Sequence, residues 1–342
     1  MKTIFFTVII ALSLNFTSCT FKESSKHSSK KIEYINPQIT VFYDSIYTSF
    51  PGKIVITKDY VVWTEPKSAE NFLHIIRKKD SKHISSYGNI GNGPYDFTTP
   101  DFGKGNQNEI LVYDLNQNKK AEIQLDSLDC NANKGIVYEK IIPTKETLQM
   151  NKLSNGNEMV FSPCTSSPFG IIKGHHIYYS GKYPIEDPDI SERSKFNYFQ
   201  GKVAYNPFNE MLFYSTSNFR YTALYKRNDV KWELIKETKI PEYSVRNGEL
   251  KFNKKIKGIT EVALTKNYIV TAEYLDETIT SKDLRLNNYI LPEVLCVYDY
   301  NLELIKVLKV NKPILRIGGN HDSDDIFAIV EDPDFKIVSI SH

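Results

Sequence analysis

YGNIGNGPYDF, residues 87 to 97, is the stretch that organises this chain. It stands between two runs of sequence with the character of β-strands, and it contains three glycines and a proline. Glycine permits positive φ, proline fixes its own φ at about −65°, and an aromatic ring can hold a loop onto a neighbouring sheet. We therefore predict a connector between two sheets, with Gly91, Gly93, Pro94 and Phe97 as its structural residues.

The glycine spacing of this stretch is also found in phosphate-binding loops. Such loops open a helix, and the sequence after Phe97, TTPDFGKG, has no helical period. The pattern therefore favours a structural connector over a phosphate site.

The first 18 residues have the parts of an export signal. Lys2 precedes an apolar run from Ile4 to Leu14, and small residues follow before Cys19. A transmembrane helix needs about 20 apolar residues, so this run is too short to span a membrane. FTSC, ending at Cys19, resembles the lipobox of bacterial lipoproteins, which implies that the Cys19 thiol receives a lipid. An ordinary secretory signal, with Cys19 incidental, is the alternative.

Residues 19 to 31 are rich in serine and lysine, which predicts a flexible tether between the lipid and a folded body from residue 32 to residue 342. In the lipoproteins that this sequence resembles, an acidic run after the cysteine accompanies display on the cell surface. Lys22 and Glu23 do not match such a run. We therefore expect an outer-membrane lipoprotein that faces the periplasm, with the cell surface as the alternative.

The composition is that of a secreted globular protein. Of its 342 residues 41% are hydrophobic and 25% are charged, and the net charge of +2 comes without a basic block that would predict nucleic-acid binding. Besides Cys19 the cysteines are Cys130, Cys164 and Cys296, so at least one of these three stands outside any disulfide. A disulfide between Cys130 and Cys164 in an oxidising compartment is an alternative that the sequence leaves open.

From residue 52 onward the chain consists of short apolar runs separated by turn residues, in units that start near 53, 100, 153, 202, 261 and 314. A spacing of about 50 residues is that of a four-stranded propeller blade. The last unit has too few strands, and Tyr34 to Asp44 is a spare strand that could complete it. We predict an all-β, six-bladed β-propeller whose last blade is closed by an N-terminal strand, which would cover exposed sheet edges. A β-sandwich, which needs no such repeat, is the alternative.

Several motifs add a family resemblance. GNGPYDF at Gly91 to Phe97 resembles the G-x-G-P-x-E/D-F loop of TolB-like six-bladed propeller lipoproteins of gut-type, Bacteroidetes-like bacteria. Blade signatures of that family are similar to LVYDLN (Leu111 to Asn116), SGKYP (Ser180 to Pro184), FQGKVAYNP (Phe199 to Pro207) and VYDYNLEL (Val297 to Leu304). The resemblance implies a propeller in the cell envelope. The family has no established reaction, so it implies no catalytic residue.

Three groups of residues are candidates for a metal or catalytic site. HDSDD, His321 to Asp325, has carboxylates for Ca²⁺ but no later bidentate Glu, so a solvated turn is the favoured interpretation. His175 and His176 are adjacent, and neighbours on a strand point to opposite faces. The Asp-Pro-Asp sequences at 187 to 189 and 332 to 334 read as loops, and spacing alone does not test a glycosidase carboxylate pair. We expect no metal and no cofactor.

A long loop, Asp276 to Pro292, interrupts the fifth unit. Long loops in compact folds are usually functional or mobile. Arg285, Asn287, Asn288 and Tyr289 suit polar recognition, and they are our candidate binding residues.

Two classes of function follow. The favoured one is a non-catalytic binding or interaction propeller, anchored to the membrane by its lipid, with a protein or carbohydrate partner in the envelope. The alternative is a lyase or hydrolase acting on sugars or lactones at a metal site in the funnel. Three or more His, Asp or Glu side chains converging at the funnel would favour the enzyme.

Overall fold

The computed structural model describes residues 32–68, 70–105, 107–130, 136–141, 146–253, 257–275 and 290–342, with 129 and 130 described by their backbone. This part of the chain forms six blades, each with four antiparallel strands, in a ring. The predicted all-β, six-bladed propeller is confirmed, and the sandwich alternative is wrong. Of the helices in these ranges, none is long and apolar enough to cross a membrane.

The strands of a blade follow one another along the chain from the innermost outward. Two N-terminal strands come first, β1 (Glu33–Ile35) and β2 (Gln38–Tyr43). Blade 1 has β3 (Ile54–Ile56), β4 (Tyr60–Thr64), β5 (Asn71–Arg77) and β6 (Lys82–Asn89), and blade 2 has β7 (Asp101–Lys104), β8 (Glu109–Asp114), β9 (Lys119–Gln124), helix α1 (Leu125–Cys130) and β10 (Ile136–Lys140). Blade 3 has β11 (Gln149–Lys152), β12 (Glu158–Phe161), β13 (Phe169–Lys173) and β14 (His176–Ser180).

Helix α2 (Glu192–Phe199) leads into the second half of the ring. Blade 4 has β15 (Gly201–Asn206), β16 (Met211–Thr216), β17 (Thr222–Asn228) and β18 (Lys231–Glu237), and a hairpin of β19 (Tyr243–Arg246) and β20 (Glu249–Phe252) follows it. Blade 5 has β21 (Glu261–Leu264), β22 (Ile269–Glu273), β23 (Val294–Tyr298) and β24 (Leu304–Lys309). Blade 6 has β25 (Ile314–Gly319), β26 (Ile326–Glu331) and β27 (Phe335–Ser341).

The N-terminal strands close the ring. Strand β2 pairs antiparallel with β27 and is the fourth strand of blade 6, which confirms the predicted closure. The sequence from Tyr34 to Asp44 is not one strand, however, because β1 lies parallel to β24 as a fifth strand of blade 5. Pro37 stands between the two strands, and its missing N–H cannot continue a sheet ladder. The chain can therefore pass from blade 5 to blade 6 at this point.

Five of the six predicted unit starts lie within one residue of an inner strand. The third lies four residues late, because β11 begins at Gln149 and Leu153 follows its end. The sequence of β11, QMNK, has a single apolar residue, Met150, and gives no alternating pattern.

The two short helices and the hairpin were not predicted. Helix α2 starts at a recognisable N-cap, since Ser191 Oγ accepts a hydrogen bond from the Ser194 backbone N–H at 3.2 Å.

Apolar side chains fill every seam between neighbouring blades. Separate clusters of buried residues join blades 1 and 2, 2 and 3, 3 and 4, 4 and 5, 5 and 6, and 6 and 1. Each blade therefore buries both faces, and its core residues form near-continuous apolar runs such as YVVWT in β4, which is buried throughout. The ring is held by side-chain packing between sheets as well as by hydrogen bonds within them.

The glycine-rich loop lies between blades 1 and 2. Gly91 N–H donates to Phe97 O at 2.9 Å, and a turn from Gly93 to Asp96, with Pro94 inside it, is closed by a 3.2 Å hydrogen bond. Of the three glycines only Gly88 has a positive φ, at 80°. The Phe97 side chain is 1% exposed, in the cluster that joins the two blades. Its role in docking the two blades stays a prediction.

Asp114 holds the segment that follows this loop. Its carboxylate is fully buried and accepts hydrogen bonds from the backbone N–H groups of Thr98 (2.6 Å), Thr99 (2.9 Å), Asn116 (2.9 Å) and Gln117 (3.1 Å). Burial by itself would raise the pKa of Asp114, but these hydrogen bonds outweigh it and lower the pKa below its ordinary value. The aspartate of LVYDLN therefore joins the segment after the glycine-rich loop to the turn between β8 and β9.

Asp114→Asn is expected to lower the free energy of unfolding by about 2 to 3 kcal/mol near neutral pH, because hydrogen bonds to a charged acceptor are lost. A carboxyl group whose pKa is lowered by folding stabilises the fold above its unfolded pKa of about 3.9, and this stabilisation is lost as the pH falls through the folded-state pKa. Urea denaturation of both proteins between pH 7 and pH 3 measures the difference. A gap that stays constant down to the acid limit would contradict this account.

Candidate functional site

One end of the ring axis carries a polar side chain from every blade. We define this end as the one where the inner strands begin, and we call the six residues the mouth ring. They lie within the first three positions of an inner strand or directly before it: Lys53, Asp101, Gln149, Lys202, Glu261 and Arg316. Because the six inner strands run in the same direction, residues far apart in sequence are brought to one rim.

Ion pairs join the members of the mouth ring across the blade seams. Lys53 Nζ lies 2.6 Å from Asp101 Oδ2, and Lys202 Nζ lies 2.7 Å from Glu261 Oε1. Arg316 Nη1 is 3.3 Å from the same Glu261 oxygen. Both carboxylates are thus bound by cations, and three cations against two carboxylates leave one positive charge in excess.

Neutral hydrogen bonds continue the ring. Gln149 Nε2 donates to Gly201 O at 2.8 Å, which ties blade 3 to blade 4, and Arg316 Nε donates to Gly52 O at 3.1 Å, which ties blade 6 to blade 1. The side chains of Lys53 and Lys202 keep 38% and 31% of their surface exposed, so a ligand can reach them. The arrangement offers fixed donors with known directions to a molecule that carries carbonyl, hydroxyl or carboxylate oxygens.

Below the mouth ring lies a central cavity of about 150 Å³, lined by the inner strands of all six blades. Lys104 and His321 line its far end. Burial lowers the pKa of Lys104 to about 7, and burial together with the neighbouring Lys104 charge lowers the pKa of His321 well below its ordinary value. His321 is therefore neutral at physiological pH.

The turn predicted for His321 to Asp325 is present, since Asn320 N–H donates to Asp325 O at 3.2 Å. It is not a wholly solvated turn, because His321 is 6% exposed and Asp324 accepts hydrogen bonds from Thr265 Oγ1 (2.9 Å) and the Asn267 N–H (2.9 Å) of blade 5. His175 and His176 are both exposed. Among the residues that the structure describes, no group of three or more His, Cys, Asp or Glu is arranged to hold a metal ion.

Several predicted residues lie outside the described part of the chain. These are the lipid-accepting Cys19 and the candidate binding residues Arg285, Asn287, Asn288 and Tyr289. The side chain of Cys130 also lies outside it, so its bridge to Cys164 stays a hypothesis.

The mouth ring was not predicted. Its signal is a polar residue at the start of each repeat unit, and this signal becomes visible only when the units are aligned on their inner strands. The late start assigned to the third unit placed Gln149 outside its unit and hid the pattern.

No protein-family model matches this chain, and no curated protein matches it. Among solved structures it is similar to an exported protein of Bacteroides fragilis, with a TM-score of 0.57, 13% identity and coverage of 91% of this chain and 98% of that one. It is similar to a DUF4221 family member from Bacteroides vulgatus, with a TM-score of 0.58, 11% identity and coverage of 92% and 98%. A luciferin-regenerating enzyme has a TM-score of 0.51, 8% identity and coverage of 90% and 96%. At these identities the similarity supports the propeller fold alone.

Proposed function

We propose that this protein is a lipid-anchored binding propeller of the bacterial outer membrane, related to the TolB-like lipoproteins, and that its mouth ring binds a polar protein or carbohydrate partner. The observation that carries the proposal is the convergence of one polar side chain from each blade, with two reachable lysines and an excess of one positive charge. FTSC before the tether supports the anchor, and the fold similarity to a Bacteroides protein that is described as exported supports a place outside the cytoplasm.

The paired state of the carboxylates favours binding over catalysis at this rim. Asp101 and Glu261 are each held by a lysine, and Glu261 also by Arg316, so neither is placed as an unpaired base or metal ligand. The alternative function, a lyase or hydrolase for sugars or lactones, would require other residues to supply the reacting groups.

The test compares the full-length, lipid-anchored protein with a Lys53→Met/Lys202→Met variant in pulldowns from the native envelope. Methionine keeps the apolar stem of lysine and removes the charged donor. We expect at least tenfold weaker capture of the partner, because truncating one side of a charged hydrogen-bonded contact typically costs about 2 to 5 kcal/mol. Lys173→Met/Lys231→Met, which removes two exposed lysines from outer strands, is the matched control and should capture normally.

The same extracts test the anchor. Wild-type protein should sediment with the membranes, and Cys19→Ala protein should stay in the soluble fraction because it lacks the acyl chains. Equal capture by both lysine double variants would overturn binding at the mouth ring, and equal sedimentation would overturn the lipid anchor.

A further inference from the structure

A second cavity lies at the seam between blades 4 and 5. Its volume is about 580 Å³, within the range of roughly 300 to 1,000 Å³ that small-molecule sites occupy. Residues of β16, β22 and β23 line it together with residues 238 to 242, which lie before the β19–β20 hairpin, and with Asn253 and Ile259, which lie after it. It shares no described lining residue with the mouth ring, so it can be tested separately from the proposed function.

Arg220 is the principal polar group of this cleft. Its Nη2 donates to Tyr274 O at 3.3 Å and lies 3.9 Å from Glu273 Oε2, and 41% of its side chain is exposed. Within the described part of the chain its Nε and Nη1 have no partner. A guanidinium with open donors is suited to bind a carboxylate through two parallel hydrogen bonds.

Glu273, the buried carboxylate of the cleft, is better satisfied than Arg220. Glu273 is 7% exposed, and its Oε1 accepts from Thr271 Oγ1 at 2.5 Å and from Tyr298 OH at 2.9 Å. Glu242 Oε2 accepts from Asn253 Nδ2 at 3.1 Å. Glu273 is therefore well satisfied within the fold, whereas Arg220 keeps open hydrogen-bond donors, and these favour an anionic ligand over a cationic one.

Much of the rest of the lining is apolar, and Thr222, Thr238 and Lys239 complete it. Phe213, Ile240, Pro241, Ile259 and Leu302 contribute to it. Burial of apolar ligand surface against such side chains is worth about 25 cal/mol per Å². We infer that this cleft is a binding site for a small molecule with one carboxylate, held by Arg220, and an apolar body that packs against this wall.

Ligand-observed saturation-transfer NMR on the full chain, with 4-phenylbutyrate as the probe, tests the inference. The neutral 4-phenylbutyramide is the matched control ligand, because it keeps the apolar body and loses the charge. We expect the acid to bind at least fivefold more tightly than the amide. Arg220→Met should remove this preference, whereas Arg246→Met, which changes an exposed arginine on β19 outside the cleft, should keep it.

Arg220→Lys keeps the charge but removes the planar guanidinium with its paired donors, and it should bind the acid with intermediate affinity. The inference therefore does not depend on the correct folding of one variant. The Lys53→Met/Lys202→Met variant should bind the acid as the wild type does, which separates this site from the mouth ring. The inference would be overturned if neither the acid nor the amide binds, or if the two bind with equal affinity. An unchanged preference for the acid in folded Arg220→Met protein would also overturn it.

Discussion

Deletion of Tyr34 to Asp44 is expected to abolish the cooperative melting of the propeller. The deleted segment contains β2, whose pairing with β27 closes blade 6, and most of β1. Ile39 packs into the cluster between blades 5 and 6, while Phe42 and Tyr43 pack into the cluster between blades 6 and 1. The Phe42 ring meets Phe327 edge-on at a centroid distance of 5.1 Å. One strand therefore supports both seams of its blade.

The deletion removes enough apolar packing to offset much of the domain's free energy of unfolding. Three partly buried apolar side chains at about 1.5 kcal/mol each amount to roughly 5 kcal/mol before the lost strand hydrogen bonds are counted. Whole domains are stable by only about 5 to 15 kcal/mol, so the deletion removes a large share of the total. It also exposes the edge of β27 to pairing with other chains.

Circular dichroism melts and size-exclusion chromatography measure the effect. The deletion variant should lose its sharp transition and aggregate. Val41→Ser, on the same strand but 53% exposed, should melt close to the wild type. A deletion variant that melts cooperatively within a few degrees of the wild type would show that closure of the ring does not depend on β2.

The six-bladed ring could be predicted from the sequence because the pattern that specifies each blade is local. Each blade repeats the same succession of short apolar strands, so the period of about 50 residues and the shortage of strands in the last unit are both visible in one dimension. The parallel pairing of β1 with β24 was not visible, since it depends on where blade 5 ends in space. The start of blade 3 was missed because Met150 is the only apolar residue of β11.

The candidate sites were harder to predict, for a physical reason. Glu261 meets Arg316 and Lys202 only because the ring brings three inner strands together, and Arg220 meets Glu273 across a seam. No spacing along the chain encodes such contacts. The sequence instead drew attention to clusters of like residues, such as His175 with His176, which are exposed in the structure.

Phe97→Ala is expected to lower the free energy of unfolding by about 3 to 5 kcal/mol, the cost of emptying a fully buried aromatic site. The Phe97 ring meets Phe72 edge-on at 5.6 Å and lies 6.4 Å from the Tyr138 ring, so it is held between blades 1 and 2. Lys119 Nζ lies 5.7 Å from the ring centre and donates to Gly93 O at 3.0 Å, which fixes the loop above it.

Tyr95→Ala is the matched control, because it removes an aromatic ring from the same loop at a position that is 64% exposed; it should cost less than about 1 kcal/mol. Gly93→Ala should cost above about 1 kcal/mol, and the cause is a contact rather than a positive φ. A Cβ on Gly93 would lie 2.5 Å from Asp96 Oδ2, the oxygen that accepts the Gly93 N–H at 3.0 Å, so the alanine would break this turn.

Urea denaturation of the three variants separates two roles for the loop. If it docks blade 1 onto blade 2, stability should fall in the order Tyr95→Ala, Gly93→Ala, Phe97→Ala, with the last losing the most. If it is instead a ligand clamp that faces solvent, all three should unfold near the wild-type midpoint and the loss should appear in partner capture. The burial of Phe97 at 1% exposure favours the first outcome, because a ring in contact with a ligand would need a path to solvent that this position lacks.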